Sequence, residues 1–208
     1  MYVPAQFSET RRNVLVGVMR QVRFALFITH AKGAYHATHA PAVVHEAADG
    51  LTIETHFARA NDHCSALGHA SLAIFQGPQA YISPGWYASK AEDGKVVPTW
   101  NYVVIHAEGV MTAMEAPALL SHLAAMTDEN EAGRTAPWSV EDAPEGYIPR
   151  LSRAIVGVRL KVDTLKGAFK LAQHKPEADR RGAATGLLAE PAEGARAIGS
   201  LMAKEFDA

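Results

Sequence analysis

Between residues 24 and 113 the chain reads as one strand after another, without the strict strand-helix alternation that builds a parallel sheet. The runs are "FALFITH" (24–30), "AYHATHAPAVVHE" (34–46), "LTIETHFA" (51–58), "ASLAIFQG" (70–77), "QAYISPGWY" (79–87) and "TWNYVVIHAEGVMTAM" (99–114). In the third, Leu51, Ile53, Thr55 and Phe57 fall on one face of a period-two repeat. Lys32-Gly33, Asp49-Gly50 and "AEDGK" (91–95) supply turns, so the first three runs read as a meander. A further strand, "AIVGVRLKV" (154–162), follows a loop rich in proline, glycine and acid.

Helical periodicity is confined to the flanks of these runs. Val14, Leu15, Val18, Met19 and Val22 predict a helix near 9–21, started by Ser8 or Thr10. Asn61 caps a short helix "DHCSAL" that stops at Gly68, and "APALLSHLAAMT" (116–127) has helical spacing. From Pro176 an alanine-rich tail reads as helix interrupted by Gly182, Gly186 and Gly194. About six short strands with helices outside predict a mainly β, α+β fold: an antiparallel barrel over 1–175 with a helical extension at 176–208. No G-x-G-x-x-G sits between strand and helix and no P-loop lysine motif occurs, which excludes the usual nucleotide cradles.

Composition narrows the partners. At 208 residues, 48% apolar and 20% charged, the chain is an ordinary globular one. A net charge of -2 and a pI near 6.5 give no general attraction to nucleic acid or anionic membranes. No run approaches the ~20 apolar residues of a membrane span, and "MYVPAQFSETRR" lacks the pattern of a secretory signal. With Cys64 the sole cysteine, a reducing cytoplasm is expected. Histidines crowd the first third. His36 and His39, three apart on a strand, face opposite sides, and HExxH is absent, so no metal site is predicted.

The blocks "MYVPAQF" (1–7), "ATHAP" (37–41), "HFARAN" (56–61), "FQGPQAYISPGWY" (75–87), "VPTWNY" (97–102) and "FKLAQHKPEADRRG" (169–182) resemble, in order and over nearly the whole chain, the PaiB family. That family is described as FMN-binding negative transcriptional regulators with a split β-barrel fold. Where relatives read Asn-Pro-x-Trp, this chain has Asn61, Asp62, His63 and Cys64; Gly85, Ala172 and His174 are further departures.

The resemblance implies a homodimer with FMN in the groove between subunits. Trp100 would cover the flavin ring and Asn101 would bond its polar rim, with Thr38 and His39 near the ring or ribityl chain. Arg59 and His56, beside the backbone N-H groups of Ala60 and Asn61, form a plausible anion clamp. Lys170 and Gln173, placed after the last strand, would fold back over the groove. Each has a structural alternative: Trp100 and Tyr102 packing the dimer seam, Arg59 a solvated arginine at a helix start, His39 a half-buried strand histidine, Lys170 and Gln173 a solvated loop.

Two functions follow as expectations. One is a flavin-binding regulator acting indirectly, because the tail balances Arg180, Arg181, Arg196 and Lys204 against Glu177, Asp179, Glu190, Glu193, Glu205 and Asp207 and so offers no basic recognition helix. The alternative is an FMN-dependent oxidoreductase, or a haem-handling split-barrel enzyme, with His39, His56 or His106 as acid or base.

Overall fold

The computed structural model describes residues 1–48 and 50–204. Its strands are β1 (Ser8–Glu9), β2 (Phe24–Ala31), β3 (Ala34–Pro41), β4 (Val43–Ala47), β5 (Gly50–Ala58), β6 (Ala70–Ile82), β7 (Thr99–Ala113) and β8 (Ile155–Lys170). The helices are α1 (Arg12–Val22), α2 (Ala116–Glu131), α3 (Tyr147–Leu151), α4 (Glu177–Ala189) and α5 (Glu193–Lys204). The strands form one sheet in the open order β3-β2-β6-β7-β8-β5-β4, with β1 pairing β8. None of the described helices is long and apolar enough to cross a membrane.

The turn at Lys32-Gly33 forms as the sequence predicts, both residues at positive φ (52° and 79°), which is the twist that a two-residue hairpin requires. The predicted meander does not form. "AYHATHAPAVVHE" is two strands: Pro41 has no N-H to continue a ladder, the Ala42 N-H donates instead to the Arg23 carbonyl (2.7 Å), and pairing restarts at Val43. β3 stays with β2 while β4 pairs with β5, so the halves of that run lie at the two ends of the strand order. The predicted turn at Asp49 lies outside the described residues, as do Glu205 and Asp207.

By compactness the chain divides into two units. One comprises Val16–Phe75 and His106–Leu165; the other comprises Met1–Leu15, Gln76–Ile105 and Lys166–Ala208. In the first unit the predicted alternation of β5 holds, with Leu51, Ile53, Thr55 and Phe57 all buried. Phe27 meets Phe57 edge to face at 5.8 Å in this core. Each such ring or aliphatic side chain stabilises the fold by about 1.5–3 kcal/mol through burial. β8 runs past the predicted end at Val162 to Lys170: its later residues alternate imperfectly between the two faces, and its far end is held extended by pairing with β1.

In the second unit Gly182 and Gly186 do not interrupt α4 but admit Trp86 against it, and the break in the tail falls between Ala189 and Glu193, just before Gly194. A Cβ at Gly186 would lie 2.4 Å from Cδ2 of Trp86 and 2.5 Å from Cε2, and one at Gly182 would lie 2.1 Å from the Trp86 carbonyl oxygen. Glycines four apart lie on one face of α4, so together they seat the "SPGW" turn against its backbone. Asp179, one turn earlier and 1% exposed, accepts the Ser89 N-H (2.9 Å) and hydroxyl (2.7 Å). Burial alone would raise its pKa, but the Ser89 donors together with the Lys175 charge and the Ala88 N-H outweigh that and lower it. Replacing Gly186 by alanine should therefore lower stability by about 1–3 kcal/mol, although alanine is favoured in a free helix by about 1 kcal/mol. Urea midpoints check this; a variant as stable as the parent would show that Trp86 leaves its seat without cost.

Candidate functional site

In the first unit the polar residues nominated by the sequence separate by strand parity. Thr38 turns inward and His39 outward, as alternation requires. Inside, Asn61 caps the 3-10 turn Asp62–Ala66 through its Oδ1, which accepts the His63 N-H (2.9 Å). Its Nδ2 donates to Thr38 Oγ1 (3.0 Å). His63, 1% exposed, lies between two hydroxyls, with Nδ1 2.8 Å from Thr38 Oγ1 and Nε2 2.9 Å from Thr29 Oγ1.

The proton positions in this network follow by elimination. The Ser71 hydroxyl donates to the His69 carbonyl (3.0 Å), so at its 2.6 Å contact with Thr29 it must accept. The Thr29 proton is then committed, and His63 must donate from Nε2. A neutral ring carries one N-H, so Nδ1 accepts from Thr38, whose oxygen accepts from Asn61. Protonation would put a second donor at Nδ1 against a hydroxyl already oriented as a donor. Burial, reinforced by the neighbouring His36, holds the His63 pKa down to about 4. The ring also stacks on Phe57 at 4.9 Å.

His56 faces away from that core, towards α2. Its Nδ1 lies 3.3 Å from Nε2 of His122, a fully buried helix residue. His122 Nδ1 lies 3.8 Å from Glu54 Oε2, within ion-pair range but without a hydrogen bond. Glu54, 7% exposed, is held by Arg159, whose Nε and Nη2 both donate to Oε1 (2.9 and 2.7 Å), and by His45 at 3.3 Å. Glu54 and Arg159 are direct cross-strand partners on β5 and β8. Burial and the adjacent His56 hold the His122 pKa to about 4, with Glu54 acting in the opposite sense; burial lowers His56 as well. The sequence showed no carboxylate partner for His56. The partner arrives through His122, far away in the chain.

Arg59 uses Nε and Nη2 to brace the start of β8, donating to the carbonyls of Arg153 (2.7 Å) and Ile155 (2.8 Å). Ala60, beside it, is exposed. The structure thus joins Thr38 to Asn61 and places His39, His56 and Arg59 each in separate surroundings. His39 stacks on Phe24 at 6.2 Å, on the outer face of the sheet. Along that face run Phe24, Leu26, Ile28 and His30 of β2, Tyr35, Ala37 and His39 of β3, and Leu72 and Ile74 of β6. Phe24 is 56% exposed and Tyr35 79%, so a broad apolar face lies open. At the end bearing His30 and Tyr35 it deepens into a cleft of about 490 Å³, rimmed by Glu108 and Asp163.

In the second unit Trp100 is 53% exposed and meets Tyr81 edge to face at 6.3 Å. Asn101, expected at a flavin rim, is instead fully buried, its Nδ2 against Met202 Sδ (3.4 Å) and its Oδ1 without a partner. It is in phase with buried Val103 and Ile105, a signal that the sequence already carried. Lys170 ends β8 rather than following it, and donates to Thr99 Oγ1 (2.7 Å); burial lowers its pKa. Gln173 closes its own turn: Oε1 accepts the Leu171 N-H (2.8 Å) and Nε2 donates to the Phe169 carbonyl (2.6 Å), around Ala172 at φ 66°. The altered residue His174 packs edge to face on Phe7 at 5.5 Å.

The two most strongly depressed histidines, His63 and His122, set a pH dependence. Unfolded, each binds a proton near pH 6.5; folded, only near 4. Between those values the unfolded chain holds more protons, so stability is present above about pH 6.5 and is lost as the pH falls towards 4. Each histidine contributes up to about 3 kcal/mol. Denaturant midpoints should fall from pH 7.5 to 4.5, and His122→Leu should flatten the profile; an unchanged slope in that variant would remove His122 as a source.

Comparison with known proteins agrees with this architecture. Residues 1–164 match the family model described as "Putative FMN-binding domain". The chain is 29% identical over 204 residues to "Protease synthase and sporulation protein PAI 2" of Bacillus subtilis, covering 97% of this chain and 96% of that one. It is 28% identical to an uncharacterised protein of Emericella nidulans, over 90% of each. Among solved structures, the FAD and heme binding protein of Mycobacterium smegmatis superposes with a TM-score of 0.59 at 15% identity, covering 79% of this chain and 73% of that one. The flavocytochrome Anf3 of Azotobacter vinelandii gives 0.55 at 12%, covering 78% and 69%. Both likenesses are of fold. The chain belongs to the PaiB family of FMN-binding split-barrel proteins, and flavin is its cofactor class.

Proposed function

We propose that this protein is an FMN-binding homodimer whose open outer face of β2, β3 and β6 forms the subunit contact, with flavin held along it. The observation that carries this is the face itself: Phe24 and Tyr35 stand exposed on it with half-buried Leu26, Ile28, Leu72 and Ile74 between them, an arrangement that single soluble chains seldom leave uncovered. The donor set suits the group. An isoalloxazine ring takes flat apolar cover with a few polar contacts, and His39, stacked on Phe24, is the sequence-nominated residue on this face. When bound, FMN would supply electron and hydride transfer. The residues of the chain would cover the ring, orient it and exclude water.

Any effect on gene expression is proposed to be indirect. α4 and α5 would be the helices for a helix-turn-helix, but α4 is pinned by Trp86, Arg181 is paired with Glu177 (2.7 Å), and an Arg196 guanidinium nitrogen donates to the Glu190 and Pro191 carbonyls. A second reading, an FMN-dependent oxidoreductase, is favoured by the His56-His122-Glu54 chain, which gives a titratable histidine a buried carboxylate behind it. Steady oxidation of a nicotinamide by the flavin-loaded protein separates the two.

Saturating FMN should raise the melting temperature, since it binds only the folded state. Sedimentation should show a dimer, and Ile28→Asp should give a folded monomer without the FMN shift. A monomeric parent, or a melting temperature unmoved by FMN, would overturn the proposal. For the regulatory part, anisotropy titration against duplex DNA at about 150 mM salt should show no sub-micromolar, sequence-selective binding, because a chain of net charge -2 releases few counterions. Tight selective binding by the purified dimer alone would refute the indirect route.

A further inference from the structure

The second unit contains a cleft of about 480 Å³ that the flavin reading does not use. Three aromatic side chains line it: Tyr81 from β6, Trp86 from the turn that follows, and Trp100 from β7. Trp86 is held by α4, whose Gly186 backbone lies so close to the ring that a single methyl there would overlap it. Tyr81 and Trp100 stand edge to face, and both remain about half exposed, 48% and 53%. The remaining polar lining is Gln79, Ser83 and Glu190, with no lysine, arginine or histidine among the lining residues.

That inventory has a sign. Aromatic faces carry negative charge density and attract a cation within about 6 Å of the ring centre. Glu190 adds a full negative charge at the rim, and as the residue that ends α4 it sits where the helix dipole is negative. Arg196, the cation close to it in sequence, does not line the cleft; its guanidinium donates to the main-chain carbonyls of Glu190 and Pro191. An FMN phosphate would meet the Glu190 carboxylate here, with no basic side chain lining the cleft. A neutral apolar ligand would leave Glu190 without a role.

We infer that this cleft is a binding site for a small organic cation, an alkylammonium or quaternary ammonium group, caged by Tyr81, Trp86 and Trp100 and neutralised by Glu190. Its volume is that of a small-molecule site. Every lining residue belongs to one compact unit of the chain.

Choline and its uncharged isostere 3,3-dimethyl-1-butanol test the sign of the site, titrated into the flavin-free protein at matched ionic strength. Two of the three tryptophans line the cleft, so fluorescence reports occupancy directly. Choline should quench with about tenfold tighter binding than the alcohol, the difference expected of a cation over an aromatic face. Glu190→Gln should weaken choline and leave the alcohol unchanged, whereas Trp100→Ala should weaken choline without unfolding the chain, since its ring is half exposed. An unchanged FMN melting shift in Glu190→Gln, a position outside the residues nominated for flavin, keeps this outcome separate from the flavin proposal. Equal affinity for the two probes, or a choline response untouched by Glu190→Gln, would overturn the assignment, as would quenching by sodium phosphate in place of choline.

Discussion

A neutral imidazole organises the first unit. Because His63 must accept at Nδ1 and donate at Nε2, the hydroxyls of Thr38, Thr29 and Ser71 all point one way, and a single directed series runs from the Asn61 amide to the His69 carbonyl. The series ties β3, β2 and β6 to the 3-10 turn that follows β5, so three strands and a loop share one protonation state. Buried polar groups cost about 1–3 kcal/mol each when unmet. Here every member has its partner, and loss of one proton position would unsettle them all.

Much of this was legible in the chain. Period-two alternation gave the buried face of β5, glycine placed the tight turns, and the cap at Asn61 follows from its residue type and position. The motif residues Thr38 and Asn61 were singled out, and they do meet. Strand parity also held the fate of Asn101, since a residue in phase with Val103 and Ile105 turns inward. What stayed hidden was long-range. His122 gives no local sign that it will meet His56, 66 residues away, and the break at Ala42 depends on an Arg23 carbonyl waiting across the hairpin. The length of β8 was hidden for a related reason: its far end pairs with β1, so tertiary context and not alternation keeps it extended.

The neighbours Thr38 and His39 show how one strand divides labour. Thr38 locks a core histidine, while His39 stacks on Phe24 on the open face. A motif containing both reads as one site in sequence but serves two surfaces, and the same holds for "HFARAN", whose histidine looks towards α2 while its arginine braces β8 and its asparagine caps a turn. Contiguity in a motif therefore marks a place where strands change role, and not a single pocket.

The seat of Trp86 on Gly182 and Gly186 indexes α4 like a notch on a shaft. The helix has one rotational setting about its axis, because Gly186 admits the ring and Gly182 the Trp86 carbonyl, and turning it by one residue would bring Thr185 against the indole and Arg181 against that carbonyl. The turn and the helix must then open and close together, so amide hydrogens in "SPGW" and in the middle of α4, nearly a hundred residues apart in the chain, belong to one cooperative unit. Sequence drift is bound by the same notch: a side chain gained at Gly186 is tolerable only in a lineage that has already reduced the ring at position 86, and one gained at Gly182 would meet the main-chain carbonyl of residue 86 whatever its side chain.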